Sequence, residues 1–367
     1  MYRPLWIEVD RKALKKNVLT IKKIIGPKVG IMATVKQNAY GHGLVPIARC
    51  LSSLGVVYFG VGSLEEAIQL RHAGIKEPIL ILTALLKEGI PELFRYHVTP
   101  TVTNLDFAKS VNEYAIRKNK IHPIHLKIDT GMGRIGWWYQ GAVAAIVQLK
   151  KLTHLELEGI FTHYPAAGTD DRFTRLQIGR FNELLDELSQ RKIDFRYIHT
   201  ANSMALWKYR HARFNLVRPG LILYGIKPDE KMDIPLSPIL SLKSQVVFLK
   251  KVPRGRSIGY GRTFVTKSPT QIATVAIGYA DGYPWRLSNK GQVLIRRRLC
   301  PIRGRVCMDH IMVETGNITG VHLGCPVTLI GKNSSHRIGA EDIAHWAGTI
   351  PYEIVTRLSS KIPRIYT

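Results

Sequence analysis

Cysteine, acidic side chains and long apolar runs are all scarce in this sequence. The 4 cysteines of the 367-residue chain stand far apart, at Cys50, Cys300, Cys307 and Cys325. That spacing excludes a disulfide framework and a CxxC metal site, so we predict no metal ligands. The longest apolar run, residues 78–86, is too short to span a bilayer, and no apolar signal segment opens the chain. We therefore expect a cytoplasmic protein with no membrane partner.

Acidic residues are about half as frequent as basic ones. The 27 Asp and Glu residues against 53 Lys and Arg residues leave a formal net charge of +26. Such an excess favours polyanionic partners. The basic residues, however, occur in short dispersed groups, such as residues 296–298, with no basic tail and no aromatic-interleaved stripe. We interpret them as a solvated basic surface and predict no nucleic-acid partner.

Short β-rich runs alternate with helical patterns through the first two-thirds of the chain. The predicted strands cover residues 30–36, 57–62, 78–83, 98–103, 123–129, 155–163, 195–201 and 215–218. Most are continuously apolar, as expected of a parallel sheet covered on both faces. One predicted helix, residues 64–73, opens with a capping box of Ser63 and Glu66. Eight strands each followed by a helix predict a (β/α)8 TIM-like barrel. An open doubly wound sheet is the alternative, but no GxGxxG follows the first strand.

The pattern changes near residues 228–238. Strand-like segments follow at residues 240–252, 271–279, 292–298, 302–314 and 326–330, with no long helix before residues 339–348. Gly, Pro and Asn turns separate them, which is typical of a β-rich unit. We therefore predict an α/β chain: an N-terminal barrel over residues 1–233 and a C-terminal, mostly β domain over residues 234–367.

A lysine ends the first predicted barrel strand, at the face where barrels carry their active sites. A charged amine there is costly unless its charge is used or its pKa is lowered. The Lys36 amine is therefore a candidate to form a Schiff base with an aldehyde cofactor. A structural lysine that reaches solvent is the alternative.

Other polar clusters end later strands of the predicted barrel. Lys127, Asp129 and Arg134 stand around a Gly-rich turn, where they form either a charged network or an ordinary Asp-capped turn. His163 ends the sixth predicted strand, where it either titrates or has a purely structural role. Five polar strand ends on one barrel face are hard to explain by packing alone.

The last two clusters follow the seventh and eighth predicted strands. Asn202 and Ser203 begin a helix, where they either bind phosphate or simply cap the helix. The segment 217–225, with Arg218 and Gly220, ends the last strand. Barrels frequently bind phosphate in the loops after these two strands.

Residues 35–43 read Val-Lys-Gln-Asn-Ala-Tyr-Gly-His-Gly. This segment resembles the pyridoxal-phosphate attachment motif of alanine racemases. The other clusters match that family in the same order, as do residues 260–261, 277–282, 304–309 and 351–353. The resemblance therefore runs through both predicted domains.

The resemblance implies an enzyme that interconverts L- and D-alanine with pyridoxal 5′-phosphate and supplies D-alanine for peptidoglycan. It implies that Lys36 carries the cofactor and is one of two bases. It also implies that Tyr260 is the second base, contributed by the partner in a homodimer with shared active sites. The match also implies that Lys127 corresponds to a lysine that is carbamylated in many members.

The family match assigns roles to further residues. The residues implied around the cofactor phosphate are Tyr40, Asn202, Ser203, Gly220, Leu221 and Tyr352. His163 is implied to pack against the pyridine ring and Arg218 to bind its nitrogen. Arg134 is implied to contact the cofactor and the substrate carboxylate, with Met308 and Tyr279 on the substrate side.

An arginine at the pyridine nitrogen fits a racemase. Arg218 does not give up its proton readily, so the nitrogen would stay unprotonated and side reactions would be discouraged. A decarboxylase of the same fold would usually place an acid there. A racemase of broader specificity for serine, lysine or arginine stays open, as does a cofactor-carrying barrel without activity, although the complete β domain argues against the latter. Residues 164–171 and Trp285 depart from the usual family pattern near the expected substrate entrance.

Overall fold

Parallel strands form a nearly closed barrel in the first part of the computed structural model, which describes residues 3–367. The strands here are β1 (Leu5–Val9), β2 (Gly30–Thr34), β3 (Tyr58–Val61), β4 (Ile79–Ile81), β5 (Thr99–Val102), β6 (His122–Asp129), β7 (Trp137–Trp138), β8 (Leu155–Phe161), β9 (Tyr197–His199) and β10 (Leu216–Val217). The barrel order is β10-β2-β3-β4-β5-β6-β8-β9, and β7 pairs only with β6. The predicted eight-stranded barrel is confirmed, and the open-sheet alternative is wrong.

The helices of this part are α1 (Arg11–Ile25), α2 (Lys36–Tyr40), α3 (Leu44–Ser53), α4 (Leu64–His72), α5 (Ile90–Arg95), α6 (Leu105–Arg117), α7 (Tyr139–Leu149), α8 (Asp171–Gln190) and α9 (Ser203–Lys208). Most of them cover the outside of the barrel, whereas the short α2 and the start of α9 lie at its mouth. Helix α1 illustrates how these helices pack on the barrel. Its apolar residues Leu14, Val18 and Ile21 recur at helical spacing, so they form one face of the helix, and that face is completely buried. Within residues 3–367, no helix combines the length and apolarity needed to cross a membrane.

The N-terminus of α4 differs in one detail from the predicted capping box. The hydroxyl of Ser63 accepts a hydrogen bond from the backbone N–H of Glu66, as predicted. The carboxylate of Glu66 does not reach back to Ser63. It instead accepts hydrogen bonds from the backbone N–H groups of Gly62 and Asn38. Glu66 therefore links α4 to the segment that follows Lys36.

The second part of the chain is mostly β structure, as predicted. Its strands are β11 (Leu240–Val252), β12 (Ser257–Ile258), β13 (Phe264–Val265), β14 (Thr270–Val275), β15 (Gln292–Ile295), β16 (Arg298–Pro301), β17 (Ile311–Glu314), β18 (Pro326–Asn333), β19 (His336–Ile338) and β20 (Arg364–Tyr366), and its helices are α10 (Ala340–Ala347) and α11 (Pro351–Thr356). The long strand β11 is central and pairs with β1, β14 and β18. The predicted strand over residues 302–314 is wrong for its first part, because residues 303–310 form a loop.

The first strand of the chain belongs to this second sheet. Strand β1 runs antiparallel to β11 and parallel to β20, with Leu5, Ile7 and Val9 buried in alternation. Without β1, the first part of β11 (residues 240–244) would have an unpaired edge on the side where β1 now pairs. The predicted domain boundary after residue 233 therefore assigns one strand of the second sheet to the barrel's sequence range. Helix α11 returns from the second part to contact α2, which brings Tyr352 to the mouth of the barrel.

Candidate active site

A cavity of about 670 Å³ opens at the carboxyl ends of the barrel strands. Its lining includes the predicted site residues Lys36, Tyr40, Lys127, Arg134, His163, Asn202, Ser203, Arg218, Gly220, Leu221 and Tyr352. They come from five barrel strand ends and from α11, so they are distant in sequence. The fold brings them together because all parallel strands of a barrel end at the same face.

Lys36 is followed by a left-handed turn. Four consecutive residues, Gln37 to Tyr40, have φ between 52° and 54° although none is glycine. A left-handed conformation costs about 1–2 kcal/mol per non-glycine residue, so the surroundings must hold it. The side chain of Asn38 accepts a hydrogen bond from Leu44 N–H, and its own N–H donates to Glu66. This turn places the side chain of Tyr40 in the lining of the cavity, together with that of Lys36.

The electrostatics of the cavity lower the pKa of the Lys36 amine. Burial lowers the pKa of Lys36, and the nearby charges of Arg134 and Arg218 lower it further. Glu66 acts in the opposite direction but does not outweigh them. A neutral amine is the nucleophilic form that attacks an aldehyde.

At one end of the cavity, the phenols of Tyr40 and Tyr352 and the hydroxyl of Ser203 surround Gly220, which has no side chain. Gly220 donates its N–H to the Ser203 hydroxyl at 3.0 Å. A Cβ on Gly220 would lie only 2.6 Å from the phenol oxygen of Tyr40, so any side chain would block this space. Burial raises the pKa of Tyr40 and of Tyr352. Both phenols are therefore protonated donors at neutral pH, which suits an anion.

Asn202 has the structural role that its position also allowed. Its side-chain oxygen accepts from Ala205 N–H at 3.0 Å and so caps α9. Its amide nitrogen donates to the carbonyl of Tyr164. Asn202 still lines the cavity, but its side chain is already used in holding the helix start and the loop after β8 together.

Arg218 is almost completely buried just beyond β10. Its two terminal nitrogens carry four N–H donors, and all four are used. Nη1 donates to Nδ1 of His199 at 2.8 Å and to the His199 carbonyl, and Nη2 donates to the carbonyls of Thr162 and Thr200 at 2.7 and 3.0 Å. Nε makes no hydrogen bond to any residue in 3–367. Burial lowers the pKa of Arg218 to about 9, so the guanidinium remains charged at neutral pH. This buried cation has one donor left for a group in the cavity.

The loop after β6 is organised by Asp129, not by a charged side-chain network. The Asp129 carboxylate accepts hydrogen bonds from the four backbone N–H groups of residues 131–134. This arrangement holds Arg134 at the cavity rim. Lys127 donates to the carbonyl of Ile128 at 2.7 Å and is 2% exposed. Burial lowers the pKa of Lys127 to about 7, with Arg218 and Arg134 adding to the effect.

His163 faces the same concentration of positive charge. Burial lowers its pKa well below the ordinary value, and the charges of Arg218 and Arg134 act in the same direction. The imidazole is therefore neutral. A neutral flat ring at the cavity wall is suited to packing against another aromatic ring.

Three predicted site residues lie away from this cavity in the same chain. Tyr260 is 71% exposed, Met308 is 53% exposed and Tyr279 is 45% exposed, and all three lie on the second domain. None of them lines the cavity around Lys36. Tyr279 borders a separate cavity of about 780 Å³ together with Trp285 and Arg357.

Sequence reasoning missed several residues that shape the site. Glu66 was interpreted only as a helix cap, although it holds the turn after Lys36. No role was predicted for His199, His125 or Glu158. The signal for Glu158 was present: a carboxylate inside a predicted buried strand needs a partner.

Two families of known domains match the chain in sequence. The alanine racemase N-terminal domain matches residues 9–228 and the alanine racemase C-terminal domain matches residues 239–366. The chain is 42% identical to an alanine racemase of Halothermothrix orenii, with 99% of this chain and 97% of the relative covered. It is 41% identical to an alanine racemase of Desulforamulus reducens, with both chains covered completely.

Solved structures show the same two-domain architecture. An alanine racemase of Clostridium difficile superposes with a TM-score of 0.95 at 35% identity, covering 100% of this chain and 96% of the other. An alanine racemase of Bacillus anthracis with bound L-Ala-P has a TM-score of 0.94 at 37% identity and the same coverage. One from Bartonella henselae with covalently bound pyridoxal phosphate has a TM-score of 0.90 at 28% identity, covering 99% of each chain.

Proposed function

The chain belongs to the alanine racemase family and interconverts L- and D-alanine, and we propose that Lys36 and Tyr260 are its two bases. The observation that carries this assignment is the cavity that groups Lys36, Arg134 and Arg218 at the mouth of the barrel. That D-alanine is made for peptidoglycan remains a prediction, as does the cytoplasmic location.

The family depends on pyridoxal phosphate, and we propose that this chain binds it in the barrel cavity. The residues present fit the group. Gly220 has no side chain and so leaves space for a phosphate. The protonated phenol of Tyr40 and the hydroxyl of Ser203 lie beside this space and can donate to the phosphate. The neutral ring of His163 and the unused Nε of Arg218 suit a pyridine ring and its nitrogen. Lys36, with its lowered pKa, would hold the aldehyde carbon.

The chemistry that bound pyridoxal phosphate supplies is electron withdrawal from the alanine Cα. The residues of this chain then move the proton. A racemase must remove the Cα proton on one face and deliver a proton on the other, which requires two bases on opposite sides. The Lys36 amine is proposed for one face and the Tyr260 phenol for the other. Arg134, at the cavity rim, is proposed to hold the substrate carboxylate.

The positions of Tyr260, Met308 and Tyr279 support a shared active site. Each is exposed on the second domain and is absent from the lining of the cavity in its own chain. We infer an isologous dimer in which Tyr260 of the partner subunit closes each cavity. A two-fold axis satisfies both sites with one kind of interface.

Lys127 is proposed to carry a carbamate. Carbamylation consumes a neutral amine and carbon dioxide and releases a proton, so it requires an amine that is uncharged near pH 7. Burial provides this for Lys127, whose pKa is about 7. The new anion would lie in the field of Arg134 and Arg218, the two charges that lower the pKa of the amine. It would hold Arg134 in place for the substrate carboxylate.

Incubation of the purified protein with each L-amino acid, followed by chiral chromatography, tests the activity and its breadth. We expect D-alanine to form much faster than any other D-amino acid. Comparable rates with serine, lysine or arginine would favour the broader racemase. Formation of an amine with loss of carbon dioxide would indicate a decarboxylase.

A further inference from the structure

A line of hydrogen-bonded side chains leads from Arg218 into the interior of the barrel. Nη1 of Arg218 lies 2.8 Å from Nδ1 of His199, and Nε2 of His199 lies 2.8 Å from Nδ1 of His125. Nε2 of His125 is 3.2 Å from a carboxylate oxygen of Glu158. The phenol oxygen of Tyr58 is 3.1 Å from the same carboxylate oxygen. We call this line, from Arg218 through both histidines to Glu158, the Arg218–Glu158 path.

The path occupies space that aliphatic side chains normally fill. His125 and His199 have no exposed surface, and Arg218 and Glu158 are also buried. The interior of a barrel is dominated by branched apolar residues. Buried charged groups are costly unless they are paired and hydrogen-bonded. Four polar side chains in one buried line therefore need a reason beyond packing.

Glu158 is the carboxylate to which hydrogen bonds connect Arg218. In residues 3–367, no carboxylate forms an ion pair with Arg218 directly. Among the residues that the structure describes, its guanidinium donates only to His199 and to backbone carbonyls. Burial opposes the ionisation of Glu158, but hydrogen bonds from His125 and Tyr58 hold its pKa below the ordinary value. The path thus has a cation at one end and an anion at the other.

One arrangement of protons satisfies every contact on the path. A guanidinium only donates, so Nδ1 of His199 must accept and the His199 proton must lie on Nε2. That proton is donated to Nδ1 of His125, whose own proton then lies on Nε2 and is donated to Glu158. Burial lowers the pKa of both imidazoles, which keeps each ring neutral with a single proton, as this arrangement requires.

Packing fixes the two rings in the required orientation. Phe161 stacks on His199 with ring centroids 4.7 Å apart and an angle of 11° between the planes. Gly159 lies opposite His125 across β6 and β8. A Cβ on Gly159 would lie 2.6 Å from Nδ1 of His125. The His125 ring therefore fits only because residue 159 has no side chain.

We propose that Glu158 is a positioning residue for racemisation that acts on Arg218 through His125 and His199. Arg218 and ionised Glu158 fix the tautomers from the two ends of the path, since Arg218 requires a lone pair on Nδ1 of His199 and Glu158 requires a proton on Nε2 of His125. Without the anion, only the contact with Arg218 opposes the reversed tautomers, in which an N–H of His199 faces an N–H of Arg218. The inference rests on the proposed role of Arg218 at the pyridine nitrogen.

The test replaces Glu158 by its uncharged isostere in the holoenzyme. We expect Glu158→Gln to keep KM and to lower kcat about tenfold, the order expected when a hydrogen bond to a charged group is lost. We also expect more pyruvate per racemisation event, because a displaced Arg218 protects the pyridine nitrogen less well. In that side reaction the alanine amino group passes to the cofactor aldehyde and pyruvate leaves.

Two further variants separate the path from general effects of burial. Gly159→Ala retains every titratable group but pushes the His125 ring, so it should raise pyruvate formation in the same way. His122→Gln is the matched control, since His122 is a buried histidine on β6, the strand of His125, and within residues 3–367 its ring bonds only the Val98 carbonyl. It should leave both kcat and the product ratio unchanged. Thermal unfolding of each variant reports whether the fold is retained.

Neutron diffraction from deuterated holoenzyme crystals reads the proton positions without any activity measurement. Deuterons on Nε2 of His199 and on Nε2 of His125 are expected. A deuteron on Nδ1 of His199 would overturn the inference. It is also overturned if folded Glu158→Gln and Gly159→Ala both keep the wild-type product ratio while Arg218→Glu changes it. If Arg218→Glu itself leaves the ratio unchanged, the proposed role of Arg218 is what fails.

Discussion

Lys36 combines partial burial with two nearby cations, and both lower the pKa of its amine. We predict that borohydride reduction of the holoenzyme fixes the cofactor on Lys36, because an amine with a lowered pKa at the cavity is the group positioned to hold an aldehyde. Peptide mass spectrometry locates the label. Lys36→Ala should lose racemase activity, since one proposed base is then missing. A label recovered on Lys127, the other lysine lining the cavity, would contradict the assignment.

Arg218 is the buried cation with one unused donor in the cavity. Arg218→Glu should retain the cofactor, slow racemisation and raise pyruvate formation, because a carboxylic acid at the pyridine nitrogen allows that nitrogen to be protonated. Pyruvate is measured with a coupled dehydrogenase assay. Arg213→Gln is the control, since Arg213 is a partly buried arginine that donates to the carbonyls of Leu206 and Ile24 outside the cavity. An unchanged product ratio with cofactor bound would mean that Arg218 has a structural role only.

Lys127 offers a prediction that depends on pH. Its pKa is about 7, so the neutral amine needed for carbamylation becomes more abundant as pH rises from about 6 to 8. With ¹³C-labelled bicarbonate, a carbamate signal in the ¹³C NMR spectrum should grow over this range. Lys127→Met, which removes the amine, should abolish the signal. If the wild-type spectrum lacks the signal at pH 8, Lys127 is not carbamylated.

At the scale of elements, the left-handed turn after Lys36 depends on α4. Glu66 accepts backbone hydrogen bonds from Asn38 in the turn and from Gly62 before the helix. Glu66→Ala should lower the free energy of unfolding by about 1–2 kcal/mol, the cost of leaving such donors unsatisfied. It should also lower kcat, because the turn that positions Lys36 loosens.

The neighbouring residue supplies the control for this element. Glu65 is exposed in the same first turn of α4, so Glu65→Ala removes an equal charge from the helix N-terminus without touching the turn. Urea unfolding and steady-state kinetics of both variants make the comparison. Equal losses in the two variants would show that Glu66 acts only through the helix dipole.

At the scale of the whole molecule, the separation of Tyr260 from the cavity predicts complementation. Lys36→Ala and Tyr260→Ala should each be nearly inactive. When they are mixed under subunit exchange, half of the dimers are heterodimers, and each heterodimer holds one intact shared site. About a quarter of wild-type activity should therefore return. Chiral chromatography of the alanine product measures it.

Each parent variant taken through the same exchange procedure serves as its own control and should stay inactive. Subunit exchange is followed independently with two differently tagged chains. Exchange without recovered activity would overturn the shared site. The remaining arrangement would be a site in which Tyr260 and Lys36 come from the same chain. The exposure of Tyr260 on the second domain argues against that arrangement.

The barrel and the site cluster were readable from the sequence because both depend on local patterns. Continuous apolar runs predicted the parallel strands, and polar residues at their ends predicted the cavity lining that the structure groups around Lys36. The predicted strands end at Lys36 and His163, but β2 ends at Thr34 and β8 ends at Phe161, so both predicted ends are two residues too far along the chain. Which residue ends a strand depends on pairing partners that local patterns do not contain.

Only the tertiary structure decided where distant segments meet. Strand β1 lies within the sequence range predicted for the barrel domain but joins the second sheet, because the edge of β11 is free to pair with it. Glu66 looked like half of a capping box but binds the turn after Lys36, from which it is separated along the chain. The link from Arg218 through two histidines to Glu158 joins four barrel strands that no local pattern connects. Sequence alone determined the chemistry that each side chain offers, whereas the fold decided which of these groups lie within hydrogen-bonding distance, because such contacts depend on the packing of the whole chain.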